Sequence, residues 1–160
     1  MTQRTRLEIL EQTTGDDPVA SIIILHGLGA SCEDFVPFVH ELDLSGVGPV
    51  RYLFPNAPER PVTINGGYVM RAWYDILGTS LPRREDEAGL RESQALMAGL
   101  VDRELARGMP SQRIVLGGFS QGCAMTLQTG LRHAGGTGGP LPGRGQRGGQ
   151  RRADRGRAVR

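Results

Sequence analysis

Gly118-Phe119-Ser120-Gln121-Gly122 is a Gly-x-Ser-x-Gly pentapeptide that directly follows the apolar run Ile114-Val115-Leu116. Strand, sharp turn and helix in that order lift a serine hydroxyl out of the backbone, where it can attack a carbonyl carbon. Upstream, a second glycine turn, His26-Gly27-Leu28-Gly29, follows the apolar run Ile22 to Leu25. A turn there can offer one backbone N–H to the oxyanion of a tetrahedral intermediate, and the residue after the serine offers another. Leu28 and Gln121 are the candidate donors. Each motif alone is weak, because a chain with 24 glycines meets such patterns by chance and a glycine turn between strand and helix needs no function. In this order, behind this strand, they point together to acyl transfer through Ser120.

The proton acceptor for that serine is what the residues fail to supply. After Ser120 there is one aspartate, Asp154, and one histidine, His133, in the reverse of the Ser…Asp…His order that goes with this elbow. Were Ser120 and His133 on one helix, about 20 Å would separate them at 1.5 Å per residue. His26 sits inside the oxyanion turn, where a structural hydrogen bond is the simpler role. His40 falls on an expected surface helix. No triad Asp or His can be assigned.

The blocks HGLGASCEDF (26–35), FPNAPERPVTINGGYVMRAWYDI (54–76) and GFSQGCAMTL (118–127) resemble the bacterial carboxylesterase / acyl-protein thioesterase family of α/β-hydrolases. The resemblance runs over residues 7–133 in order and spacing, and the middle block is its most specific part. It implies a compact sheet with little or no lid and hydrolysis of short carboxylic esters or thioesters, without cofactor or metal. It also implies Ser120 as nucleophile, Leu28 and Gln121 as oxyanion-hole residues, and Trp73 as an aromatic near the acyl site. An ordinary core tryptophan is the competing reading of Trp73. Cys123 stands where the family usually has glycine or alanine, and its helical place makes it a poor catalyst. The family draws its acid and base from later loops that have no counterpart here, so the resemblance implies a nucleophile without its base. A homodimer is a possibility for full-length members.

The elements that must position these residues read as a mainly parallel sheet flanked by helices, a partial α/β-hydrolase fold with its C-terminal part missing. Residues 20–25 form a continuous apolar, β-branched run suited to a central strand buried on both faces. Residues 51–54 read as a second strand stopped by Pro55 and Pro58, and 113–116 as a third. A short helix is expected over 33–42 and a long one over 84–107, where Leu90, Met97, Val101 and Leu105 share a face. The last helix follows Ser120. With nothing after it, the elbow strand should be a sheet edge, and the chain poorly soluble or partly unfolded.

Composition divides the chain at about residue 134. The net charge of +2 conceals 12 arginines against 16 acidic residues in 1–133 and seven arginines against one aspartate in 134–160, with no lysine anywhere. The last 27 residues, rich in glycine and arginine, cannot bury enough apolar surface to offset their ordering entropy and should be disordered. They look like an out-of-frame reading of a GC-rich message. The expected domains are therefore 1–133, a truncated hydrolase, and 134–160, a tail. Two cysteines without CxxC spacing, no apolar run of about 18 residues and no signal-peptide core suggest a cytoplasmic protein that neither binds metal nor enters membranes. Two other functions remain open. One is an acyl-binding protein without turnover. The other is RNA binding through the Arg/Gly tail, disfavoured by its lack of aromatic residues.

Overall fold

The computed structural model describes residues 7–80 and 84–133. Among the described residues six strands form two sheets: β1 (Ile9–Thr13), β2 (Ala20–Leu25), β3 (Val50–Pro55), β4 (Glu59–Val62), β5 (Tyr68–Arg71) and β6 (Ile114–Gly118). The main sheet has the order β1-β3-β2-β6, and β4 and β5 form a separate hairpin. β2 is parallel to both β3 and β6, whereas β1 runs antiparallel to β3. The strand that carries the elbow is thus the last of its sheet among the described residues.

Alternation along β2 and β3 builds two cores. Ile23, Leu25 and Leu53 face one side with Trp73, Met97, Val101 and Met125. Ile24, Tyr52 and Phe54 face the other with Cys32 and Val39. Successive side chains of a strand point to opposite faces, so a strand buried on both must be apolar throughout. The first core is covered by α2 (Glu87–Ala106) and α3 (Gln121–Gly130). Asp86 caps α2 by accepting from the Gly89 N–H at 3.0 Å, and Gly108, at φ 90°, lets the chain leave it.

One expectation is amended and two details are added. The helix expected over 33–42 divides into a 3-10 turn, Cys32–Phe35, and α1 (Phe38–Glu41), with Pro37 at the N-cap. Proline has no N–H to give to an interior helical bond, so it begins a helix and cannot lie within one. The sheet includes an antiparallel strand, β1. The β4–β5 hairpin, with glycines 66 and 67 at φ 67° and 80° in its turn, occupies a stretch read only as a motif.

The helix face toward the sheet holds a carboxylate among its apolar residues. Glu104 is fully buried and accepts from the Ser21 hydroxyl at 2.7 Å and from Arg51 and Arg107 at 2.9 Å each. Arg51 and Arg107 also reach Glu11 of β1, at 3.2 and 3.0 Å. A buried charge needs such partners to be tolerated. No helix among the described residues is long and apolar enough to cross a membrane. The expectations for residues 134–160 lie outside the described residues.

Candidate active site

Ser120 occupies the turn between β6 and α3 with φ 54° and ψ −117°. Among the described residues only Asp17 shares a positive φ without being glycine. Side-chain-bearing residues occupy such backbone only when the surroundings impose it, at a cost of about 1–3 kcal/mol. The imposition here is visible. Phe119 N–H donates to the Leu25 carbonyl at 3.0 Å, hooking the turn onto the end of β2. Gly122 N–H donates back to the Phe119 carbonyl at 2.9 Å.

The two glycines of the pentapeptide are explained by space. A Cβ at Gly118 would stand 2.5 Å from the carbonyl carbon of Gly122. A Cβ at Gly122 would stand 2.1 Å from the Leu25 carbonyl oxygen. Both obstacles are backbone, which cannot rotate away. Only glycine lets the helix start this close to the sheet, and Ser120 is left exposed at the surface.

The second glycine turn lies against the first. A Cβ built at Gly27 would be 3.4 Å from the Ser120 Cβ and 3.2 Å from Phe119 Cδ1. Gly29, at φ 70°, donates its N–H to the Arg71 carbonyl at 2.8 Å, tying this turn to the end of β5. Among the described residues the backbone N–H groups of Leu28 and Gln121 have no acceptor, although those of Gly29 and Gly122 beside them do.

His26 anchors the turn from within. It is buried, and its Nε2 accepts from the Ala57 N–H at 2.9 Å. Nδ1 therefore carries the proton and donates to the Gly27 carbonyl, 2.7 Å away. Burial holds its pKa below the usual histidine value, and the nearby Arg71 adds to this. A neutral imidazole with both nitrogens engaged has no lone pair for a serine proton. His40 is exposed on α1, and His133, just past the other end of α3, lies 2.9 Å from Asp102. Asp75, the carboxylate nearest in sequence to Trp73, accepts from the Thr63 N–H at 2.7 Å and from its hydroxyl.

Trp73 has no exposed surface. Its indole N–H donates to the His26 carbonyl at 2.9 Å, its backbone N–H donates to Gln121 Oε1 at 3.0 Å, and its carbonyl accepts from Ser93. In this geometry Trp73 is a post under the turn at residues 26–29. The Gln121 amide also donates to the Tyr74 carbonyl at 2.8 Å. Gln121 thus turns its backbone toward the site and its side chain into the core. The sequence did not foretell this clamp, because nothing in the spacing says that the residue after the serine reaches 48 positions back. Cys123 is exposed on α3. Among the described residues no cluster of three or more metal-ligating side chains occurs.

A mainly parallel sheet flanked by helices, with a strained serine between strand and helix, defines an α/β-hydrolase fold. Residues 8–141 match the phospholipase/carboxylesterase family, and the chain belongs to it. Acyl-protein thioesterase 1 of Schizosaccharomyces pombe is 45% identical over 114 residues, covering 71% of this chain and 50% of that protein. The corresponding protein of Yarrowia lipolytica is 40% identical, covering 69% and 50%. These relatives are eukaryotic, so the likeness is not peculiar to bacterial members. Among solved structures, Arabidopsis thaliana SOBER1 is similar with a TM-score of 0.66 at 34% identity, covering 70% of this chain and 54% of that one. Zea mays acyl-protein thioesterase 2 is similar with a TM-score of 0.65 at 29% identity, covering 85% and 57%. The chain spans about half the length of the curated relatives it matches.

Proposed function

We propose that this chain carries the nucleophile and oxyanion hole of a serine hydrolase acting on small carboxylic esters or thioesters, and that without a base it turns over poorly. Ser120 Oγ would attack the carbonyl carbon, and the N–H groups of Leu28 and Gln121 would hold the resulting oxyanion. Trp73 acts as a positioning residue, keeping the Leu28 turn against the elbow. The observation that carries this reading is the strained Ser120 backbone beside two N–H groups with no acceptor among the described residues. The first N–H of a helix has no intrahelical acceptor as a rule, and an imposed backbone outlier beside such donors suits a site for developing negative charge.

The weak turnover follows from the histidines. Without a base the hydroxyl stays protonated and is a poor nucleophile. What remains is binding and oxyanion stabilisation, about 10³–10⁴-fold over water where triads have been dismantled. A short-chain p-nitrophenyl ester is the test. Slow hydrolysis that falls to the uncatalysed rate in Ser120→Ala supports the reading. Turnover untouched by that substitution overturns it. Ester binding with no turnover at all would favour an acyl-binding protein instead.

A further inference from the structure

We propose that the chain over residues 71–74 is a crossbar that holds both oxyanion donors in register, and that the Gln121 side chain and the Ser93 hydroxyl are positioning groups for the reaction. This rests on Ser120 as nucleophile with Leu28 and Gln121 as its donors, and adds what keeps the two N–H groups aimed at one point.

The donors come from two turns far apart in sequence, so one must be fixed against the other. Residues 71–74 touch both. Toward the first turn, the Arg71 carbonyl accepts from the Gly29 N–H at 2.8 Å, and the Trp73 indole donates to the His26 carbonyl at 2.9 Å. Leu28 lies between those two tethers. Toward the elbow, the Trp73 N–H donates to Gln121 Oε1 at 3.0 Å, and Gln121 Nε2 donates to the Tyr74 carbonyl at 2.8 Å. Turning the carboxamide over would set donor against donor and acceptor against acceptor. Gln121 is buried, so breaking either bond leaves a polar group without water to replace it. Gln121 is also the first residue of α3. The clamped side chain and the oxyanion N–H therefore belong to one residue, and holding the first resists rotation of the second.

The crossbar is in turn fastened to α2. Ser93 is fully buried on the helix face that also holds Met97, Leu100 and Val101. A hydroxyl in such surroundings costs stability unless it is bonded, and this one donates to the Trp73 carbonyl. Two residues on, the Asp75 N–H donates to one carboxylate oxygen of Asp86 at 2.8 Å, while the other oxygen caps the helix at Gly89. α2 thus grips the chain on both sides of Tyr74, whose carbonyl is the one that Gln121 uses.

Hydrolysis of p-nitrophenyl acetate by the 160-residue chain tests this. Donor aim matters only once charge develops on the oxygen. Gln121→Met and Ser93→Ala should therefore each lower kcat about tenfold and leave KM within about twofold. Ser93→Cys, whose thiol is a weaker donor, should fall between Ser93→Ala and the parent, and the Ser93 series remains decisive if Gln121→Met does not fold. Val101→Ala, a cavity on the same helix face, should lower the urea midpoint without lowering kcat. Backbone NMR adds a reading that needs no turnover. Both Gln121→Met and Ser93→Ala should move the Leu28 amide resonance, on the far side of the crossbar, and leave that of Thr13 in β1 in place. Hydrolysis indifferent to Ser120→Ala would remove the reaction that these groups serve. With Ser120→Ala inactive, an unchanged kcat in the Gln121 and Ser93 variants, or a rise in KM in place of a fall in kcat, would overturn the positioning role alone. A Leu28 amide that neither variant moves would overturn the crossbar.

Discussion

Gly122 meets the carbonyl oxygen of Leu25 so closely that a Cβ there would lie 2.1 Å away. This contact joins the first turn of α3 to the end of β2 and so fixes how far Ser120 stands from the Gly27–Leu28 turn. Gly122→Ala must push backbone against backbone. Overpacking of this kind costs about 1–3 kcal/mol and more where nothing can yield, so about 3 kcal/mol is expected. The urea midpoint should fall with an unchanged m value, and any esterase activity should fall with it. An alanine variant as stable as the parent would show that the elbow can shift.

His26 makes stability depend on pH. Its folded pKa lies below the ordinary value of 6.5, so the unfolded chain binds the proton more readily. Stability from this residue is complete above about pH 6.5 and declines as the pH falls toward the folded pKa. Protonation would also oblige Nε2, which accepts from Ala57, to become a donor facing a donor. Thermal unfolding between pH 7.5 and 5 should show the decline, and His26→Asn should flatten it. A profile as steep in the variant would place the titration elsewhere.

Glu104 behaves in the same sense but lower on the scale. Burial pushes its carboxyl up, while Ser21, Arg51 and Arg107 together pull it further down, leaving it below 4.5. Its stabilising share is therefore complete above about pH 4.5 and lost as acid protonates it. Glu104→Gln keeps the shape and removes the charge that Arg51 and Arg107 face. Breaking a fully buried pair costs about 3–5 kcal/mol, but both arginines reach solvent in part. About 2 kcal/mol is expected, measured by urea unfolding at pH 7. A Glu104→Gln chain of parental stability would mean that the arginines relax into water at no cost.

The strands on which the site rests were legible because burial on both faces leaves no choice of residue, as in Ile22 to Leu25. The elbow was legible because its two glycines answer to backbone contacts that no other residue survives. Two features escaped. The β4–β5 hairpin contains Pro61, and its apolar residues, Val62 and Tyr68 to Met70, make runs too short to mark strands. Glu104 carried no signal of its own, since nothing local in sequence tells that Ser21 and Arg51, 83 and 53 residues away, will meet it. Local pattern reports what a segment can hide. It does not report which distant polar group will satisfy a buried one.

Ser120 also allows its own strain to be weighed. At φ 54° and ψ −117° a side chain costs about 1–3 kcal/mol that glycine does not incur. Glycine in turn loses about 0.4–1 kcal/mol through the greater freedom of the unfolded chain. Relief exceeds loss, so Ser120→Gly is expected to stabilise the fold by about 1 kcal/mol, whereas Ser120→Ala, which keeps the Cβ, should change little. Both substitutions remove the hydroxyl and should reduce p-nitrophenyl ester hydrolysis to the uncatalysed rate. Stability rising in the glycine variant while hydrolysis disappears in both would show that the strain is retained for the hydroxyl. A glycine variant less stable than the alanine variant would mean that the turn is held by contacts of the serine side chain, and that the backbone angle by itself carries no functional meaning.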